Sequence, residues 1–89
     1  MRAIVTVIGK DRTGIIAAVS ADLAKANANI LDISQTVLAE FFSMVMLVDI
    51  SNITITFNDL KKILETTGQD IGLEIRIQRE EIFNAMHRI

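Results

Sequence analysis

The residues best suited to binding a small molecule lie in one short polar segment near the N-terminus, Gly9-Lys10-Asp11-Arg12-Thr13-Gly14. The Asp11 carboxylate could accept hydrogen bonds from an ammonium group. Gly14 has no side chain, so a ligand could approach the free backbone N–H groups at the start of the helix that follows. A carboxylate would suit that end of a helix. The segment therefore predicts a site for a molecule that carries both groups.

Each of these residues could instead have a purely structural role, and the sequence alone does not decide between the two roles. Asp11 could cap the first helix. Gly14 could allow the loop to pack closely on a strand, and Arg12 could be a solvated charge. Further along the chain, Asn27 and Asn29 are ordinary turn formers, although Asn29 is also a candidate ligand contact.

The amino-acid composition excludes several kinds of catalytic site and metal site. The 89 residues contain no cysteine and one histidine, His87, so thiol catalysis and a cysteine or histidine metal cluster are excluded. Arg12 could lie beneath a phosphate, as in a small hydrolase, but no pair of nucleophile and base accompanies it. We expect a protein that is not an enzyme and that uses no cofactor and no metal.

Charge and aromatic content argue against a nucleic-acid partner. The net charge is −2, with nine Lys and Arg against eleven Asp and Glu, so no electrostatic attraction to a phosphate backbone is expected. The first strand has no aromatic residue on which a base could stack, and of Phe41 and Phe42 at least one must face the core. The N-terminal apolar run is too short to span a membrane. We expect a cytoplasmic protein with neither nucleic acid nor membrane as partner.

The elements that must position the candidate site follow from the periodicity of apolar residues. Alternation or β-branched runs predict four strands, and a spacing of three to four residues predicts two helices. Thr56 and Asp59 match a helix-capping pattern at the start of the second helix, and Gly68 weakens that helix late or marks the beginning of its end. The predicted strands lie near 3–8, 31–37, 41–50 and 73–79, and the helices at 13–27 and from 56 to about 71.

The order predicts one α+β domain over residues 1–89, a ferredoxin-like βαββαβ antiparallel sheet with two helices on one face. A short C-terminal helix is expected at about 80–88, because Ile82, Phe83, Met86 and Ile89 form one helical stripe. The second face of the third strand carries Val45 and Leu47, so something should cover it. A chain this small gains from association, and dimerisation is plausible.

The run Asp11-Arg12-Thr13-Gly14-Ile15-Ile16 resembles the strand-to-helix signature of ACT domains, which sense small metabolites, usually amino acids. Asn29 falls where such domains carry asparagine at the start of strand two. As a unit the chain resembles a small stand-alone bacterial ACT family, uncharacterised in function and similar to modules of the glycine-cleavage repressor. The resemblance implies a homodimer with amino-acid sites at its interface, built from Asp11, Arg12, Thr13, Gly14 and Asn29.

Three hypotheses remain open at this point. The first is a homodimeric sensor of an amino acid, joined through strand two and helix one. The second is an interaction module without ligand, in which the second sheet face and the tail bind a protein partner or build the dimer. The third, a small hydrolase using Arg12, has the least support.

Overall fold

The computed structural model describes residues 1–82, and the order of its elements confirms the predicted ferredoxin-like fold. The sheet has four antiparallel strands in the order β2-β3-β1-β4. The elements are β1 (Arg2–Lys10), α1 (Ile15–Lys25), β2 (Asn29–Leu38), β3 (Phe41–Asp49), α2 (Phe57–Ile71) and β4 (Leu73–Arg79).

The core lies between one face of this sheet and the two helices. Alternate residues of β1, β3 and β4 point to the helices, as the pleat of a strand requires. The even positions of β3 from Phe42 to Val48 are all buried, as the sequence predicts, and Phe41 is on the other face. The helices contribute buried residues at a spacing of about one turn, namely Ile15, Val19 and Leu23 from α1 and Leu60, Leu64 and Gly68 from α2.

Local contacts fix where α2 begins and how closely it packs. The Thr56 hydroxyl oxygen accepts a hydrogen bond from the Asp59 backbone N–H at 3.0 Å, which confirms the predicted cap. Gly68 lies inside the helix and does not end it. A Cβ at this position would stand 2.6 Å from the Leu73 carbonyl oxygen, so the missing side chain lets α2 pack directly on the start of β4.

Two isoleucines that fall at helical spacing with the buried positions, and so would be expected in the core, are exposed. Ile16 in α1 and Ile63 in α2 are 38% and 41% exposed. Each helix buries only a narrow stripe of residues about one turn apart, and these two isoleucines lie beside that stripe. Of the predicted C-terminal helix, residues 80–82 are helical, and the rest falls outside the described residues.

Strand β2 forms one edge of the sheet and departs from simple alternation. Its pairing with β3 shifts between Ile30 and Asp32, so Leu31 lies at a bulge. Ile33 and Val37 pair with buried β3 residues and share their face, yet Ile33 is 39% exposed and Val37 is 53% exposed. The helices therefore do not cover this edge. Within residues 1–82, no helix has the length and apolar character needed to cross a bilayer.

Candidate functional site

A groove of about 540 Å³ opens between the β1–α1 loop, the first turn of α1 and the far ends of β2 and β3. The loop contributes Asp11, Arg12 and Gly14 to its lining. Three of the predicted site residues therefore line one concave surface, beside the uncovered edge of the sheet.

The start of α1 leaves backbone donors available beside this groove. Gly14 is the N-cap residue, and its φ of 89° lies in the left-handed region that glycine tolerates best. No side chain caps this helix, so the alternative role for Asp11 as a helix cap is wrong. A Cβ at Gly14 would meet no atom within 4 Å. The first N–H groups of α1 have no intrahelical partner, and such a helix end attracts anions.

The loop is held against the turn between β2 and β3. The Asp11 backbone N–H donates to the Glu40 carbonyl oxygen at 2.7 Å, so Asp11 is fixed in position while its carboxylate stays exposed. That carboxylate can accept hydrogen bonds from a cation in the groove. Thr13, next to the helix start, is also exposed.

Arg12 has a structural contact that the sequence does not predict. Its guanidinium Nη1 donates to the Ile71 carbonyl oxygen at 3.2 Å, at the C-terminal end of α2. That helix has no basic residue in its own last turn, so Arg12 supplies the cation that a helix C-terminus favours. Arg12 lines the groove and also holds the end of α2.

Asn29 does not join the other predicted site residues within one protomer. It opens β2 and pairs with Asp49, whereas the groove lies beside Val37, eight residues further along β2. At the usual rise of a strand these two positions are about 26 Å apart. A single site can include both the loop and Asn29 only if Asn29 comes from another subunit.

The residue opposite Asn29 carries a stabilised negative charge. The Asp49 carboxylate accepts the Ser51 backbone N–H at 2.9 Å, and this hydrogen bond, with help from the Ser51 side chain, lowers the pKa of Asp49. Asp49 therefore remains ionised to a lower pH than an isolated aspartate.

The walls of the groove include apolar residues that the sequence does not identify as site residues. Ile16 and Ala17 from α1, and Val37 and Phe42 from the sheet, contribute to its lining, as does the polar Gln35. Ile15 is buried and Ile16 faces the groove, because two adjacent isoleucines cannot both occupy the centre of one helical stripe. Among residues 1–82, no group of three or more metal-ligating side chains gathers at any point.

Relatives of similar length cover the whole chain. A UPF0237 protein of Methanocaldococcus jannaschii is 56% identical over 88 residues, which span 99% of this chain and 98% of that protein. The structure of an ACT domain protein from Streptococcus pneumoniae superposes with a TM-score of 0.81 at 46% identity and covers 93% of each chain.

A more distant neighbour shares the fold alone. The structure of a protein assigned as a glycine cleavage system transcriptional repressor superposes with a TM-score of 0.76 at 24% identity, over 88% of this chain and 44% of that one. The resemblance read from the loop motif is confirmed by a family model for the ACT domain, which matches residues 2–78. The chain therefore belongs to the ACT domain family, whose members are regulatory and often bind amino acids.

Proposed function

We propose that this chain is a non-enzymatic regulatory module that forms a homodimer and binds a small molecule, such as an amino acid, at the subunit interface. The observation that carries this proposal is the groove beside Gly14, which has free backbone donors and apolar walls and lies open at the β2 edge. Its position suggests a site that a second subunit completes.

The dimer is joined through β2, with α1 beside it. This strand presents unpaired backbone groups along its outer side and exposes apolar side chains, including Leu31 at 46% and Val37 at 53%. An exposed edge of this kind favours pairing with another strand. A closed two-fold dimer uses the same patch on both subunits, so β2 would pair antiparallel with β2 of the partner.

Antiparallel pairing about the middle of β2 explains the distance between Asn29 and the loop. Because β2 runs from Asn29 to Leu38, its first residue comes to lie beside the last residue of the partner strand. Asn29 of the partner subunit then stands next to the groove. The N–H groups that follow Gly14 bind a carboxylate, Asp11 accepts from an ammonium group, and the partner's Asn29 contacts the polar end of the ligand. Arg12 and Thr13 complete the rim.

A thermal-shift screen of the full chain against the standard amino acids tests the ligand. Binding to the native state alone raises the free energy of unfolding by about 2.7 kcal/mol at a hundredfold excess over Kd, so a true ligand raises Tm clearly. Light scattering after size exclusion gives the oligomeric state. A flat screen with a stable dimer would contradict the sensor and favour the ligand-free module that regulates a protein partner in trans.

Two variants determine whether the site is shared between subunits. Asp11→Ala and Asn29→Ala should each remove the ligand-dependent rise in Tm, whereas Asn58→Ala, an exposed asparagine at the start of α2, should keep it. Mixing the two inactive proteins should restore part of the response, because each mixed dimer then contains one intact site. Failure of the mixture to respond, with mixed dimers present, would contradict a shared site.

A further inference from the structure

The face of the sheet opposite the helices carries an apolar stripe along its two central strands. In the register of β1 with β3, Ile4 lies opposite Leu47, and each further pair on this face contributes one apolar residue: Val45 lies opposite Thr6, Ile8 opposite Ser43 and Phe41 opposite Lys10. Ile8 and Phe41 are each 56% exposed, and Val45 is 40% exposed. Neither α1 nor α2 packs on this face. We call these five residues the open-face stripe: Ile4, Ile8, Phe41, Val45 and Leu47.

Polar side chains border the open-face stripe on both edge strands. Asp32 and Ser34 lie beside it on β2, and Glu74 and Arg76 form an ion pair at 2.7 Å on β4. A second sheet packed over the whole face would remove all of these groups from water, which is costly. The stripe itself is two strands, or about 10 Å, wide. This width matches one α-helix, whose diameter with side chains is about 10 Å.

The chain leaves β4 on the side of the open-face stripe. The Glu80 carboxylate forms an ion pair with Arg2 at 2.8 Å. Arg2 pairs with Asp49 in the sheet and so shares the face of Ile4 and Leu47. Helical backbone begins at Glu80, and Ile82 is 48% exposed at the end of the described chain. The C-terminal residues therefore start next to the Ile4 end of the stripe.

We propose that the chain's own C-terminal segment, residues 83–89, docks on the open-face stripe. Phe83, Met86 and Ile89 continue from Ile82 at helical spacing, so they could bury a common apolar side. As a helix, the ten residues from Glu80 would span about 15 Å. The stripe from Leu47 to Phe41 extends about 20 Å. The segment is thus long enough to cover most of the stripe without reaching beyond it.

Docking of the C-terminal segment would stabilise the subunit and would also prevent subunits from associating through the sheet face. Exposed apolar residues grouped on one face of a sheet favour association with another molecule. With the segment in place, association is restricted to the β2 edge. The sheet face becomes available only when the segment is removed.

Disulfide trapping tests the proposal directly, because the chain contains no cysteine. Met86→Cys is combined with Val45→Cys in one variant and with Leu47→Cys in a second, and both are oxidised as full-length proteins. A disulfide requires the two Cα atoms to lie within about 7 Å. We expect at least one pair to form a bond within a single chain, seen by mass and by mobility on a non-reducing gel. Met86→Cys with Lys62→Cys, on the exposed side of α2, is the control and should not form it.

Two results of the trapping experiment would overturn the proposal. If neither stripe position forms a disulfide above the level of the Lys62 control, the segment does not dock on this face. If the bond forms only between chains, the segment covers a partner's stripe. A chain ending at Ile82 adds a second measurement: it should remain folded and associate beyond the oligomeric state of the full chain, and an unchanged state would count equally against docking.

Discussion

The two edge strands of the sheet, β2 and β4, differ in how much of each strand is buried within a single chain. Strand β4 buries Leu73, Ile75 and Ile77 under α2, and its other side carries the ion pair between Glu74 and Arg76. Every residue of β2 except Ile30 is exposed, although the strand is ten residues long and contains several large apolar side chains. One edge of this sheet is therefore complete in a single chain, and the other is not.

The difference follows from where the helices lie. Helix α2 packs on β4, held there by the close approach at Gly68, whereas α1 reaches β2 only along a short margin. Charged residues on an edge strand discourage pairing with other chains. Strand β2 has a single charged residue, Asp32, so nothing comparable protects it. The comparison supports the proposal that β2 is the association edge and β4 the solvent edge.

The largest effect is expected from a charge placed on β2. Ile33→Asp should convert the proposed dimer to a monomer, because the carboxylate would be desolvated on the helix-side face where the two β2 strands meet and would lie next to its own copy near the two-fold axis. Sedimentation velocity over a range of protein concentrations measures the change. Circular dichroism should show a folded monomer, since Ile33 is already 39% exposed within one subunit.

A matched substitution on α2 provides the control for this prediction. Ile63 is 41% exposed, almost the same as Ile33, but belongs to α2, which packs on β4 at the opposite edge of the sheet. Ile63→Asp should leave the proposed dimer intact. If the two variants dissociate equally, or neither does, β2 is not the association edge.

A smaller effect is expected from a substitution at the contact between α2 and β4. Alanine usually stabilises a helix relative to glycine by about 1 kcal/mol. At position 68 the added Cβ would stand 2.6 Å from the Leu73 carbonyl oxygen, and backbone atoms cannot move aside cheaply. Gly68→Ala should therefore lower the free energy of unfolding by about 1–3 kcal/mol, the usual range for overpacking. Urea denaturation measures it.

The control for Gly68→Ala is Thr66→Ala, at an exposed position of the same helix. This variant should be neutral or slightly stabilising, because alanine has the higher helix propensity. A stabilised Gly68→Ala protein would contradict the close contact between α2 and β4.

Much of this fold could be predicted from local patterns. The alternation in β3 and β4 and the pairing of Thr56 with Asp59 gave the right elements, because each depends on residues close in sequence. The exposure of Ile63 could not be predicted, since it depends on which side of α2 the tertiary packing turns toward the sheet. The structural reason for Gly68 could not be predicted either, although its partner Leu73 follows soon after in the sequence, because the contact forms only once the chain turns back at Gly72.

The candidate site could be predicted only in part, because some of its features depend on contacts that local sequence patterns do not show. The loop motif identified Asp11 and Gly14, which the structure places on one groove. The contact between Arg12 and Ile71 joins residues that are 59 positions apart, so no local pattern indicates it. The separation of Asn29 from the loop became visible only with the strand order and register.

The smallest of these effects concerns Arg12, which ties the loop to the helix that covers β4. Arg12→Ala removes one hydrogen bond and a cation from the C-terminus of α2, so the free energy of unfolding should fall by about 1 kcal/mol. Hydrogen exchange should become faster in the last turn of α2 and remain unchanged along β2. Lys10→Ala, which removes another exposed cation nearby, should do neither. If Arg12→Ala instead leaves stability unchanged and weakens the ligand response, the guanidinium serves the groove rather than the helix end.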